Sequence, residues 1–206
     1  MAAFDDRGAF VEPTLSRVLE SALMLALLRR RRLHPHVQTR LEHVIAARLA
    51  DPLLHPVEQM LARAALGLPQ PPDAMGQALD GLPAHTWVRK RMLFICYLAV
   101  LGQGHYPPQA ARLDYCGQTT WWELTGCALK VLAAHGHGHQ ADPEDGRFLT
   151  DLLAAGRREV WEGNVAAHTL AVLALDTLDP SSRLIADGID ALLHVRNARR
   201  RTCRCD

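Results

Sequence analysis

The chain has 206 residues, of which 49% are hydrophobic and 22% are charged, and 23 Lys+Arg nearly balance 22 Asp+Glu. This is the composition of a globular protein, and it excludes a disordered chain, a collagen and a bundle of membrane-spanning helices. The net charge of +1 provides no general attraction to nucleic acid or to an anionic membrane, so neither is expected as a partner.

The N-terminal segment and the cysteines indicate a cytoplasmic protein. Residues 1–6 are acidic and lack the basic region and apolar core of a signal peptide. The most apolar run, from Val18 to Leu28, is about half of the ~20 residues that a membrane helix needs. The 5 cysteines form no Cys-x-x-Cys pair and are expected to be free thiols in a reducing cytosol.

Apolar residues recur at three- and four-residue spacing in the first half of the chain, which predicts amphipathic helices. Three prolines make residues 68–73 the clearest loop. The predicted helices lie between Pro13-Thr14 and the stop at Leu33-His34-Pro35, from about Pro35 to Ala50, from Pro56 to the stop at Gly67, and near Ala74 to Leu79.

The second half repeats this pattern, and its helices are predicted from Thr86 to Leu101, from Gln118 or Thr119 to about Ala134, from Asp145 or Gly146 to about Arg158, from Gly163 or Asn164 to Leu178, and from Ser181-Ser182 through Leu193. Roughly nine or ten helices joined by short turns are typical of stacked antiparallel helix pairs. We therefore predict an all-α fold with one domain over residues 1–198, in which the loop at 68–73 is the candidate boundary between two halves. Residues 199–206 are predicted to be a flexible basic tail.

Small residues mark the inner face of one predicted helix, in the run Ala166-Ala167-His168-Thr169-Leu170-Ala171-Val172-Leu173. Such helix pairs resemble the α/α-toroid enzymes that include squalene–hopene cyclases and prenyltransferases. The resemblance is architectural and implies an α/α-toroid or helical-repeat-like arrangement. The aspartate motif with which those cyclases protonate an alkene has no clear counterpart, because Asp5-Asp6 lies near the N-terminus and Asp142-Pro143-Glu144-Asp145 has the pattern of a helix cap.

Two short segments, Trp87-Val88-Arg89-Lys90-Arg91-Met92 and Trp122-Glu123-Leu124-Thr125, are similar to an uncharacterised all-helical family found in actinobacterial natural-product gene clusters. The second motif of that family reads aromatic-Glu-Leu-Thr-His, whereas this chain has Gly126 in the fifth position. Any role of that histidine is therefore not inherited. The resemblance implies a setting in secondary metabolism rather than a particular reaction.

Glu123 and His168 are the candidate catalytic residues. Glu123 follows two tryptophans at the start of a helix, and His168 lies among small apolar residues on another helix, four residues after Asn164. If these helices face each other, the two side chains form an acid–base pair inside a toroid. The alternatives are a first-turn glutamate favoured by the helix dipole and a core histidine whose hydrogen bonds are satisfied.

Four further residues are predicted to bind the substrate, namely Trp122, Asn164, Arg91 and Trp161. Trp122 would line a pocket, and Arg91, next to Arg89 and Lys90, has the fork of donors that suits a carboxylate or a phosphate. The alternative for these cations is ion pairing with a neighbouring helix. The run Arg29 to Arg32 is interpreted as a helix end whose cations suit the dipole, with a nucleic-acid patch as the alternative.

The alternating segment His135-Gly136-His137-Gly138-His139 matches no zinc spacing, so we predict a solvated loop and no metal. The chain has no G-x-G-x-x-G, no G-K-[ST] and no G-x-S-x-G motif, and no cofactor is expected.

Two functional hypotheses follow. The first is a small cofactor-independent enzyme of secondary-metabolite biosynthesis, which cyclises, isomerises or eliminates a small-molecule substrate, free or attached to a carrier protein. The second is a non-catalytic helical module that binds a peptide or a carrier protein. The sequence does not distinguish a monomer from a homodimer.

Overall fold

The computed structural model describes residues 3–4, 10–11, 18–79, 84–156 and 159–201, and most of these residues are helical. Within these residues there are nine α-helices, two short 3₁₀ helices and one pair of two-residue strands, which confirms the predicted all-α fold. The elements in chain order are β1 Ala3–Phe4, β2 Phe10–Val11, α1 Val18–Arg31, α2 Pro35–Leu49, α3 Pro56–Ala65, α4 Ala74–Leu79, α5 Ala84–Val100, a 3₁₀ helix Pro108–Arg112, α6 Thr120–Gly136, α7 Pro143–Ala155, a 3₁₀ helix Trp161–Gly163, α8 Val165–Leu178 and α9 Arg183–Arg201.

Local sequence signals account for the helix boundaries. Three N-cap side chains accept a hydrogen bond from a backbone N–H of the first turn: His55 from Val57, Asp142 from Glu144, and Asn164 from Ala167. Prolines occupy the first positions of α2, α3 and α7, where the missing N–H costs no hydrogen bond.

The sequence also led to predictions for the two ends of the chain and for its central loop. The predicted start of the first helix at residues 13–14 and the end of the predicted basic tail, 202–206, lie outside the described residues, and α9 continues to Arg201. The loop at 68–73 is tied to both sides, because the Gln70 amide donates to Met60 O at 2.9 Å and to Gln103 Oε1 at 2.6 Å. A division into two halves at this loop stays a prediction.

The core is organised around α8, which packs against α1, α6, α7 and α9. Every residue from Ala167 to Asp176 is buried, so this helix is enclosed on all sides rather than amphipathic. A second group, α1 with α2 and α3, meets the first where α1 crosses α8. The predicted run of small residues thus forms the centre of the fold, where it permits close helix packing.

The arginines at the end of α1 hold the two groups of helices together. Asp176 is buried near the end of α8, and its two carboxylate oxygens lie 2.7 Å from Arg30 Nε and 2.9 Å from Arg31 Nη1. Arg29 contacts Glu42 on α2 at 3.0 Å and donates to Ala65 O on α3. This run is therefore a helix end, as interpreted, and it also makes ion pairs to α8 and α2 and a hydrogen bond to α3. These protein contacts account for the positive charges of Arg29, Arg30 and Arg31 without a nucleic-acid ligand.

The helices of the described ranges fall short of a membrane span. None of them combines the length and the apolar character that crossing a lipid bilayer requires.

Replacing Gly188 with alanine is expected to destabilise the fold. A β-carbon at Gly188 on α9 would lie 2.6 Å from Val172 Cγ2 and 3.3 Å from His168 Nε2, so α9 would have to move away from α8. We expect Gly188→Ala to lower the free energy of unfolding by about 1–3 kcal/mol, the usual cost of overpacking. Urea denaturation measures this.

Gly76→Ala is the matched control, because Gly76 also lies in a helix but has no atom within 4 Å of the added β-carbon. That change is expected to raise stability by up to about 1 kcal/mol through helix propensity. Equal effects of the two substitutions would contradict the close approach of α8 and α9.

Candidate functional site

The first predicted cluster lies at the start of α6. Glu123 is half-buried in the first turn, and its Oε1 accepts a hydrogen bond from the N–H of Gly117 at 2.9 Å. Trp122 is buried, and the guanidinium of Arg89 lies 3.8 Å from the centre of its ring, at cation–π distance. Arg91 is exposed on α5, the helix that carries Arg89. The structure therefore brings α5 and α6 together at Trp122, with the Glu123 carboxylate directed back to the preceding turn.

The glycine in the fifth position of this motif has a steric cause. A β-carbon at Gly126 would lie 2.8 Å from Cβ of Tyr115. Any larger side chain, including the histidine of the similar family, would require Tyr115 to occupy a different position. The departure from the family pattern is thus linked to the packing of Tyr115 against α6.

His168 lies inside the core between α8 and α9. Its side chain is only 2% exposed, and Nδ1 accepts a hydrogen bond from the backbone N–H of Trp161 at 3.3 Å. The acceptor role of Nδ1 leaves the ring proton on Nε2, which faces Gly188. Burial lowers the pKa of His168 to about 4, and a hydrogen bond to the Gly188 backbone offsets only part of this. The imidazole is therefore neutral near pH 7.

Three of the predicted site residues form one local unit at the start of α8. Asn164 is the N-cap, and its Oδ1 accepts from the N–H of Ala167 at 3.0 Å. Trp161 begins the 3₁₀ helix before it and donates to His168. Glu123 is not part of this unit, since in the described residues its carboxylate and the His168 ring have separate hydrogen-bond partners. Their action as a catalytic pair stays a prediction.

A buried polar cluster that we did not predict links α6 and α7. Asp145 is 2% exposed, accepts a hydrogen bond from the Tyr115 hydroxyl at 2.7 Å, and has Lys130 Nζ 3.0 Å from both carboxylate oxygens. The Cys127 thiol lies 3.5 Å from the Asp145 carbonyl oxygen. The segment 142–145 does cap a helix as interpreted, but only through Asp142, while Asp145 turns into the core.

The surroundings of this cluster shift three pKa values. Burial, followed by the hydrogen bond to Asp145, raises the pKa of Tyr115 far above its usual range. Burial raises the pKa of Cys127 to about 12. Burial alone would lower the pKa of Lys130, but the hydrogen bond and charge of Asp145 outweigh this and raise it. Lys130 and Asp145 thus form a charged pair that holds a neutral phenol and a neutral thiol around it.

Two adjoining clefts lie at the end of α6, where the histidine-rich segment follows. The first, called here the histidine cleft, has a volume of about 330 Å³ and is lined by Pro108, Ala111, Arg112, Ala134, His137, His139 and Gln140. The second, the adjoining cleft, has a volume of about 380 Å³ and is lined by His135, His139, Gln140, Ala141, Pro143, Thr177 and Leu178. In the described part of the chain, no three His, Cys, Asp or Glu side chains are arranged to hold a metal ion.

The stability of the protein is expected to fall between pH 6.5 and pH 4 because of His168. Its pKa is lowered from 6.5 to about 4, so in this window the unfolded state binds a proton that the folded state excludes. The stabilisation is complete above pH 6.5 and is lost as the pH falls toward 4, by roughly 3 kcal/mol at most. Urea denaturation as a function of pH measures this loss.

His168→Gln should flatten the stability profile in this window, whereas the exposed His36→Gln should leave it unchanged. Titration of the His168 ring by NMR gives the same information without a variant, because the ring should stay neutral down to about pH 4. An ordinary imidazole titration near pH 6.5 would refute the enclosed position of His168.

Replacing Lys130 with methionine is expected to destabilise the protein by roughly 3 kcal/mol, because the buried Asp145 carboxylate loses its cation. The matched control is Arg147→Met, which removes the 3.6 Å ion pair with Glu144 between side chains that are 73% and 81% exposed. That change should cost no more than about 0.5 kcal/mol. Chemical denaturation compares the two, and a similar small cost at both sites would show that the Lys130–Asp145 pair is solvated.

Comparison with known proteins connects this chain with actinobacterial secondary metabolism, as the resemblances implied. No protein-family model matches the chain. It is similar to a drimenyl diphosphate synthase of Streptomyces showdoensis, with 38% identity over an alignment of 192 residues that covers 85% of this chain and 36% of that protein. It is also similar to a drimenyl diphosphate synthase of Streptantibioticus cattleyicolor, with 37% identity over an alignment of 178 residues that covers 82% of this chain and 32% of that protein. The chain spans about a third of the length of these two relatives.

Proposed function

We propose that this chain takes part in the cyclisation of a prenyl diphosphate in secondary metabolism. The observation that carries the proposal is the similarity to two drimenyl diphosphate synthases over more than four fifths of the chain. Because the matched part is about a third of each relative, the proposal gives this chain a share in substrate binding and shaping rather than the whole reaction. The all-helical fold supports it, since closely packed helices with apolar walls suit a terpenoid hydrocarbon.

The geometry supports different roles for the two candidate catalytic residues. His168 is enclosed and neutral, and it accepts a hydrogen bond from the turn that precedes its own helix. These contacts favour a structural role in joining Trp161, α8 and α9. Glu123 is only half-buried and directly follows Trp122, over whose ring the exposed Arg89 lies, so it remains the better candidate for acid–base chemistry without a cofactor.

The alternative function, a helical module that binds a peptide or a carrier protein, makes a different prediction about ligands. Such a module needs an extended groove and has no need of a prenyl diphosphate. Binding of prenyl diphosphates by this chain would favour the cyclisation function. Binding of a carrier protein, with no binding of prenyl diphosphates, would favour the module.

A chimera tests the proposed function. The matched 36% of the Streptomyces showdoensis protein is replaced by this chain, and formation of drimenyl diphosphate is measured by mass spectrometry. We expect a folded, active chimera, because 38% identity over the matched part favours the same packing. A folded chimera that neither binds nor converts a prenyl diphosphate would refute the proposal.

Within the same chimera, Glu123→Gln tests the acid–base role. A loss of turnover of roughly a hundredfold is expected if the carboxylate transfers a proton, with an unchanged melting temperature. The control is Glu58→Gln in the first turn of α3, which should leave turnover unchanged. Equal turnover in the two variants would remove Glu123 from the mechanism.

A further inference from the structure

We propose that the histidine cleft binds the diphosphate group of the prenyl diphosphate, through Arg112, His137, His139 and Gln140. This inference rests on the proposed function and adds the location of the charged end of the substrate. The apolar group would then extend into the adjoining cleft, which shares His139 and Gln140 with the first. The argument has three parts: the charge of the lining, the rigidity of the histidine segment, and the size of the two clefts.

The lining of both clefts contains hydrogen-bond donors and no carboxylate. Arg112 brings a permanent positive charge with a planar fork of donors, the geometry that suits phosphate oxygens. His137, His139 and Gln140 add ring and amide nitrogens on the opposite wall. Two carboxylates lie two residues from lining residues of the histidine cleft along the chain: Asp142 caps α7 by accepting the N–H of Glu144, and Asp114 accepts the N–H of Cys116. The clefts therefore favour an anionic ligand.

The two histidines of the histidine cleft are held in place by the end of α6. The N–H of His137 donates to Ala133 O at 3.0 Å, and the N–H of His139 donates to Ala134 O at 2.9 Å. Gly138 between them has φ +73°, the left-handed conformation that commonly ends a helix. The two rings face each other with 6.2 Å between their centres. A binding site built this way loses little entropy when the ligand enters.

One ring nitrogen in the histidine cleft lacks a hydrogen-bond partner. Nε2 of His137 is one of the buried polar atoms that have no partner among the described groups. Buried polar atoms in folded proteins are nearly always paired, so an unpaired one calls for an explanation. An anionic oxygen bound in the histidine cleft would supply the partner.

The sizes of the clefts fit a ligand with a charged end and an apolar end. Volumes of about 330 and 380 Å³ lie at the lower end of the ~300–1,000 Å³ typical of ligand pockets. The histidine cleft contains the arginine, and the adjoining cleft continues to Ala141, Pro143 and Leu178. A molecule that spans both would meet Arg112 and the histidine rings first and apolar side chains beyond His139.

Titration calorimetry on the purified chain tests the inference, with inorganic diphosphate and a fifteen-carbon prenyl diphosphate as separate ligands. We expect saturable binding of both, and Arg112→Gln and His137→Gln should each raise the dissociation constants by roughly tenfold or more. Arg147→Gln and His36→Gln, which change the same residue types at exposed positions that do not line either cleft, should leave the dissociation constants unchanged. Melting temperatures establish that the variants are folded.

The outcomes separate this inference from the proposed function. Binding of the prenyl diphosphate that is equally strong in wild type and Arg112→Gln would overturn the assignment of the cleft while leaving the proposed function intact. Absence of prenyl diphosphate binding in the folded wild type would overturn both. A loss of inorganic and prenyl diphosphate binding together in Arg112→Gln, with both controls unaffected, would support the cleft as the diphosphate site.

Discussion

The enclosure of α8 is the constraint on which the rest of the structure depends. A helix buried along ten consecutive residues, Ala167 to Asp176, needs partners from the protein for the polar groups that it carries, because water cannot reach them. Nδ1 of His168 accepts from the Trp161 N–H, the Thr169 hydroxyl donates to Val165 O at 2.7 Å, and Asp176 is neutralised by two arginines of α1. The 3₁₀ turn before α8 and the basic end of α1 are thus consequences of burying this helix.

Asp176 and Asp145, the two buried carboxylates of the described residues, have different partners and different structural roles. Asp176 lies between two guanidinium groups that belong to a distant helix, so its role is to join the two groups of helices. Asp145 is shared between one lysine and one phenol, and it fixes the loop before α6 against the start of α7. Both helices that border the adjoining cleft, α7 and α8, are therefore anchored by a buried charge near that cleft, which keeps its walls rigid.

The sequence alone was enough to predict the helices, but not the contacts between them. Periodicity, prolines and caps such as Asn164 act over a few residues, so the all-α fold and most boundaries could be predicted. Asp145 could not be assigned to the core, because its partners Tyr115 and Lys130 lie 30 and 15 residues away and no local pattern encodes their meeting. The pairing of Glu123 with His168 depended on the rotation of two helices about their axes, which residue spacing alone does not determine. The part of the histidine segment in a cleft could not be predicted either, because it depends on the neighbouring 3₁₀ helix.

The ion pairs of Arg30 and Arg31 with Asp176 join residues about 145 positions apart, which has a consequence for synthesis on the ribosome. While the chain grows, α1 emerges before α8, with an apolar surface whose covering helix has not yet been made. Contacts of such long sequence separation form late and slow folding, and nascent chains that wait for them expose surfaces prone to aggregation. Arg30 and Arg31 likewise lack the carboxylate of Asp176 until α8 has been made. Any shortened version of the protein that ends before Asp176 would keep this exposed state permanently.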